Sequence, residues 1–335
     1  MSARSLLVAA LLMVAAPAGA QEYMWTDDRP DAVPPLGVFA ARTLPAGALE
    51  LTALYSKLDQ AGIRFGSDLV DPNVLFEFHE LVPFELTTAG WTARLGYGLT
   101  DDLTLAGRVG FLMRDRWQFN EDGVPFELES QGITDVEVHA LYDVYESGPY
   151  RAHLQAGVVI PTGSVTLEDG FGDLRAEGRL PYDMQMGAGA FGISPGATFQ
   201  AMNEHGSVGA QVLATLYFAE KEEWRAGDRA EVNAWAAYRF NRFFSGSARM
   251  RAAAYEEIAG FDPELDPDRD PGETPFAFGG RRVDLPVGLN FYMPEGRWEG
   301  HRLAIEFIWT VHEQFDDWFG LANDWGFQVG WQKAF

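Results

Sequence analysis

Three groups of side chains in this sequence have the types and spacing to do chemistry. The first is Gly192-Ile193-Ser194-Pro195-Gly196, which matches Gly-x-Ser-x-Gly and would make Ser194 an acyl-transfer nucleophile. A nucleophile elbow needs a strand–turn–helix junction and a backbone N–H beside the serine to hold the oxyanion. Pro195 removes an N–H there, and the pentapeptide lies inside a stretch that alternates like a strand. His79, His205, His301 and His312 fall in loops or near strand ends, with no serine at a telling spacing. Neither His-Glu-x-x-His nor a Walker sequence occurs. The chain is therefore read as not an enzyme and as carrying no cofactor. The second group is Asp266, Asp268 and Asp270, whose alternate spacing is that of the start of a calcium loop. Pro271 stands where that loop needs glycine, and Ala277 where it needs a bidentate glutamate. With Pro263 and Pro267 nearby, a stiff solvated loop is the expectation. The third group is Arg94, Arg108, Glu137, His139, His153, Arg249, Arg251, Asp284, Arg302 and Glu306, each on the polar side of an alternating segment. Charges gathered on an enclosed face either pair with one another or select which solutes pass.

The elements that would position them are strands. About twelve alternating segments can be placed, at 48–58, 84–99, 103–113, 132–145, 151–161, 189–201, 207–218, 230–240, 244–255, 282–293, 301–311 and 324–335. In 282–293, Val283, Leu285, Val287, Leu289 and Phe291 share one face, against Asp284, Pro286, Gly288, Asn290 and Tyr292. A period of two marks a strand with unlike faces. The last segment places Trp325, Phe327, Val329, Trp331 and Phe335 opposite Gly326, Gln328, Gly330 and Gln332. Large apolar residues outward and small or amide residues inward is the arrangement of a membrane barrel strand. Lys333 also falls outward, where a lysine at an interface can snorkel to water.

The connections alternate in length. Long ones cover 59–83, 114–131, 162–188, 219–229, 256–281 and 312–323, and short ones 100–102, 146–150, 202–206, 241–243 and 294–300. Bacterial barrels have long extracellular loops and short periplasmic turns, so this pattern puts both termini on the periplasmic side. A soluble sandwich has no reason to alternate loop length in this way. The fold expected is an all-β, single antiparallel transmembrane barrel of about twelve strands over 48–335. A lumen of that size suits a narrow, selective conduit.

The N-terminus supplies an address. Arg4 precedes the apolar run 6–16, and Ala18-Gly19-Ala20 gives an A-x-A cleavage site, so 1–20 reads as a signal peptide. Residues 21–47 carry Pro30, Pro34, Pro35 and Pro45 and are too short for a plug domain. A periplasmic arm or a small lumen insert is expected there. There is no cysteine, which excludes disulfides and a lipidated cysteine. The net charge of −24 argues against nucleic acid, which demands clustered Lys and Arg.

Leu180-Pro181-Tyr182-Asp183-Met184-Gln185-Met186-Gly187-Ala188-Gly189, followed by Pro195-Gly196, resembles a motif of the outer-membrane family named for the MetA pathway of phenol degradation. Pro35-Leu36-Gly37-Val38, Pro161-Thr162-Gly163-Ser164, Gly280-Arg281-Arg282-Val283-Asp284, His301-Arg302-Leu303-Ala304 and Gly330-Trp331-Gln332 extend the resemblance across the mature chain. Met186, Ala188 and Lys333 depart from the family pattern. The resemblance implies a Gram-negative outer-membrane channel that passes small hydrophobic or aromatic solutes. Its partners would be membrane lipid, lipopolysaccharide and the barrel-assembly machinery, the last reading Trp331 and Phe335. The chain would act as a monomer. From its glycine, methionine and aromatic content, the loop 162–188 either folds into the lumen and constricts it with Tyr182, Met184, Gln185 and Met186, or forms an ordered extracellular lid without ligand contact. The rival expectation is a blocked barrel with a structural or surface-binding role.

Overall fold

The computed structural model describes residues 23–169, 178–220, 223–316 and 318–335. The expected signal peptide and the middle of the 162–188 loop lie outside them. Twelve wall strands follow one another: β1 Leu49–Phe65, β2 Leu81–Gly98, β3 Leu103–Asn120, β4 Pro125–Ile133 continuing as Val136–Ser147, and β5 Tyr150–Ile160. They continue as β6 Ala190–Met202, β7 Gly206–Glu220, β8 Arg229–Arg239, β9 Phe244–Tyr255, β10 Gly280–Asp284 with Val287–Tyr292, β11 His301–Phe315 and β12 Phe319–Ala334. Each pairs antiparallel with its sequence neighbours, and β1 pairs with β12, so the sheet closes on itself.

Closure explains why this sequence can sit in lipid. A spanning segment has no water to satisfy its N–H and C=O groups, so a sheet must have no open edge there. The last strand is zipped to the first along its whole length, down to Phe335 N–H donating to Leu49 O at 2.7 Å. The outward faces carry large apolar residues around the wall, among them Trp91, Leu105, Leu154, Leu289 and Phe307, all exposed. An apolar belt of that extent is unstable against water and stable against hydrocarbon. Aromatic residues crowd toward both rims: Phe84 stacks on Phe119 at one, and Trp331 donates its ring N–H to His301 Nδ1 (2.9 Å) at the other. Lys333 lies 4.7 Å over the Phe335 ring at that second rim.

All twelve expected strands are present, but on the long-connection side they run further than alternation alone indicated. The expected loop 114–131 is mostly strand, since β3 continues to Asn120 and β4 begins at Pro125. The expected loop 312–323 is likewise mostly the ends of β11 and β12. Beyond the membrane a strand no longer needs an apolar outer face, so Arg114-Asp115-Arg116-Trp117 stays in the ladder without showing the lipid pattern.

Past Ile160 the chain leaves the wall and turns inward. The upper segment of β4, Pro125–Ile133, then has β3 as its ladder partner. The returning loop lies against it from inside, with Ser130 Oγ donating to Met184 O at 2.8 Å. Two motif glycines make this turn possible. A Cβ on Gly163 would sit 2.7 Å from Gly187 Cα, so the two backbones meet where no side chain fits. Asp135 locks the contact by accepting from Gly163 N (2.9 Å) and Ala188 N (2.8 Å).

Phe307 lies midway along β11 on the lipid side. Phe307→Arg is expected to cost about 2–4 kcal/mol, whereas Gln328→Asn on the lumen side should be nearly neutral. Urea unfolding in liposomes, followed by gel heat-modifiability, measures both.

Candidate functional site

The lumen is occupied from below. Residues 29–44 run inside the barrel, and wall side chains hold their backbone at many levels. Arg302 donates to Arg29 O and Asp27 O, both at 2.5 Å. Gln211 donates to Phe39 O at 2.9 Å, Arg94 to Leu36 O at 2.8 Å, and Gln200 to Ala41 O. His153 Nε2 lies 3.2 Å from Ala40 O, and Thr104 Oγ1 accepts from Leu44 N at 2.7 Å. An extended chain cannot satisfy its own backbone groups, and here the polar wall does so for it. Gly37 marks the tightest approach: its N–H donates to Glu306 Oε2 at 2.8 Å, and a Cβ there would meet Arg249 Nη2 at 2.0 Å. Arg249 cannot swing away freely, because Glu306 (3.1 Å) and Asn233 (2.7 Å) pin it in a buried position.

Above the insert lies a cavity of about 820 Å³. Gly37 and Phe39 form its floor, while Tyr182, Met186, Trp224 and Phe278 contribute to its roof. Its walls mix leucines of several strands with arginines. Arg108 and Arg229 share one carboxylate, Glu137, at 2.7 and 3.5 Å. Arg251 bridges Glu231 (2.6 Å) and Asp284 (3.0 Å), and Arg282 joins Asp284 at 3.2 Å. His139 is fully buried, edge-on to Phe39 at 5.1 Å, with Nε2 3.5 Å from Glu137. It takes the space beside Gly157, where a Cβ would lie 2.5 Å from its ring.

The residues read from the sequence therefore divide. Arg94, His139, His153, Arg249, Arg302 and Glu306 contact the insert, Arg94 and Arg249 lining the cavity as well, while Arg108, Glu137, Arg251 and Asp284 face the cavity together, Arg108 also lying over Phe39. Of the loop residues, Tyr182, Gln185 and Met186 line the cavity. Met184 does not: it is fully buried in a separate cluster with Leu75, Leu81, Leu128 and Leu180, because its one-turn helix aims it at the wall. Gln185 holds the loop itself, accepting from Leu167 N (2.8 Å) and donating to Leu180 O (2.8 Å). Ser194 is buried in mid-strand, its hydroxyl 3.1 Å from that of Thr215. Sequence reasoning missed Phe39, Arg229, Arg116 and Asp183. Arg116 and Arg229 fell within segments read as loops.

Arg116 centres a second construction, at the extracellular end. It is fully buried and makes a two-pronged bond to Asp270 at 2.8 and 2.9 Å, with Nε 3.4 Å from Asp183. One guanidinium thus ties a wall strand to both inward loops. Asp270 also accepts from Gly272 N at 2.7 Å, and Asp266 caps the N–H of Asp268 at 3.1 Å. Of the carboxylates that suggested a calcium loop, Asp266 and Asp270 are engaged in holding the loop together, while Asp268 is exposed. Beside them Glu273 accepts from Arg269 Nε (2.7 Å) and Asp266 N (2.6 Å). Burial and the neighbouring Asp270 carboxylate push its carboxyl up to about 7.

No protein-family model matches the sequence, and no curated protein matches it. Solved structures do. An outer membrane channel from Pseudomonas putida F1 superposes with a TM-score of 0.60 at 14% identity, covering 90% of this chain and 100% of that one. The β domain of the Bordetella autotransporter BrkA is more distant, with a TM-score of 0.47 at 11% identity over 86% of this chain and 100% of that one. At such identities the likeness is one of fold, that of a membrane barrel.

Two expectations follow from the Arg116 centre. Arg116→Leu removes the ion-pair partner of the fully buried Asp270 and of the part-buried Asp183 and should cost about 3–5 kcal/mol, measurable by urea unfolding. Glu273 binds its proton more tightly in the folded loop than in the unfolded chain, where its ordinary value is 4.5. Its stabilising contribution is therefore full below pH 4.5 and is lost as pH rises through about 7. Cleavage of the 256–279 loop by proteinase K, normalised to an unstructured substrate, should be slower near pH 5 than near pH 8, and Glu273→Gln should flatten that difference.

Proposed function

We propose that this chain is an outer-membrane channel that passes small apolar or aromatic solutes by facilitated diffusion, without energy coupling. The observation that carries this reading is the cavity of about 820 Å³ inside a closed barrel, within the range of small-molecule sites. Its lining combines Leu54, Leu112, Leu213 and Tyr182 with guanidiniums, a surface suited to a one-ring molecule with a polar end. Support of a coarser kind comes from the fold shared with the Pseudomonas putida channel, and from the resemblance to the family named for the MetA pathway of phenol degradation. In this reading residues 1–20 direct export, Trp331 and Phe335 are read by the barrel-assembly machinery, and the monomer sits among phospholipid and lipopolysaccharide. The 29–44 segment and the loops held by Arg116 are the lower and upper barriers of the path.

One observation favours the rival, a non-conducting barrel with a structural or surface-binding role: the insert and the loops fill the lumen at both ends with paired polar groups. Planar-bilayer recording separates the two. The wild type should show small discrete conductance. The double variant Gln211→Ala, Arg302→Ala, which loosens the insert, should raise it severalfold. Silence from both proteins, with correct folding verified by heat-modifiability, would sink the channel reading.

A further inference from the structure

The cavity floor carries an imbalance of charge. Arg251 and Arg282 meet Glu231 and Asp284, two cations against two anions, and Arg249 meets Glu306 one to one. Around Phe39 the count differs. Arg108 lies with its guanidinium 4.5 Å from the Phe39 ring centre, and Arg94, its partner across the β2–β3 ladder, lies at 5.6 Å. Arg94 bonds to the carbonyls of Leu36 and Val38 and to no carboxylate among the described residues. Arg108 and Arg229 divide a single carboxylate. One oxygen of that Glu137 accepts from both arginines, while the other faces His139 at 3.5 Å. The next carboxylate along the cavity, Asp135, is already held by two loop N–H groups. Three guanidiniums thus stand against two carboxylates, in a protein whose overall charge is −24. Their availability differs as well. The Arg108 and Arg229 side chains are 25% and 35% open to the cavity, whereas Arg249 is closed at 2%.

We propose that this floor is a binding site for the carboxylate of a small aromatic acid, with Arg229 and Arg108 as its anchors. Uncompensated positive charge in an enclosed, partly apolar space is costly, and a monoanion entering it is stabilised by the same field. Guanidiniums suit a carboxylate because two parallel N–H donors match its two oxygens. The Arg229 Nε donates to Thr215 Oγ1 at 3.2 Å, which fixes the plane of the fork and leaves donors directed at the cavity. The leucine-lined wall above receives the ring. Arg94, 5.6 Å from the Phe39 ring centre and bonded to two insert carbonyls, adds to the positive field at the anchors. The inference rests on reading this cavity as the solute compartment, and it narrows the solute from apolar or aromatic to aromatic and anionic.

Equilibrium dialysis of the full purified chain in detergent micelles with radiolabelled benzoate tests it, with benzamide as the neutral molecule of the same shape. Benzoate should bind about tenfold tighter than benzamide. Arg229→Gln and Arg108→Gln should each remove most of that preference, and Arg229→Lys should retain part of it. Arg242→Gln, on an exposed ion pair with Glu295 at the periplasmic rim, should leave binding unchanged. Heat-modifiability on gels confirms that each variant is a folded barrel. Equal binding of benzoate and benzamide, or full benzoate binding in both glutamine variants, overturns the site. Benzoate binding that is lost in those variants, together with bilayers that remain silent, upholds the site and removes the channel reading instead.

Discussion

Lipid leaves a backbone no partner but itself, and this one constraint organises the molecule. A sheet in hydrocarbon must close, and a closed sheet of alternating residues that turns its apolar side outward turns its polar side inward. The interior then holds arginines, carboxylates, amides and histidines in a space sheltered from bulk water. Such groups are stable only when each finds a partner. Much of the remaining architecture answers that demand.

The answer comes from backbone as well as from other side chains. Residues 29–44 have proline and glycine but little capacity for regular structure of their own, so their carbonyls and N–H groups are available to the wall. Arg302, Arg94, Gln200, Gln211 and His153 all contact them. The insert and the wall therefore satisfy each other, and the insert's place is set by hydrogen bonds together with apolar packing of Phe39 and Ala40 on Ala106 and Leu141 and of Val38 and Ala41 on Trp235. At the other end Arg116 performs a comparable task by joining β3 to Asp270 and Asp183 on two separate loops. Between the two closures lies the compartment, on whose floor Arg108 and Arg229 share the single carboxylate of Glu137.

How much of this was legible beforehand depends on which physical signal carried it. The strands were legible because lipid enforces the period of two, and the lumen face of Arg108, Glu137, Arg251 and Asp284 followed from register alone. The extensions of β3 and β4 were not, because outside the membrane nothing forces Arg114 to Trp117 to alternate in polarity. Arg116 was lost with them. Met184 was grouped with its loop neighbours, yet one turn of helix sends it into the apolar cluster beneath the wall while Tyr182, Gln185 and Met186 line the cavity. Sequence proximity in a loop does not fix direction as it does in a strand.

The sequence by itself determined a barrel: its alternation, its connections and its terminal strand each express a local rule repeated along the chain. Tertiary structure alone decided what fills the barrel. Whether 29–44 hangs in the periplasm or threads the lumen depends on partners such as Gln211 and Arg302, more than 170 residues away. Whether Glu137 is an isolated carboxylate or one shared by two arginines depends on Arg229, 92 residues further along the chain. Periodicity encodes which face a residue occupies, while the groups it meets across an enclosed space are set by the curvature that brings distant strands together.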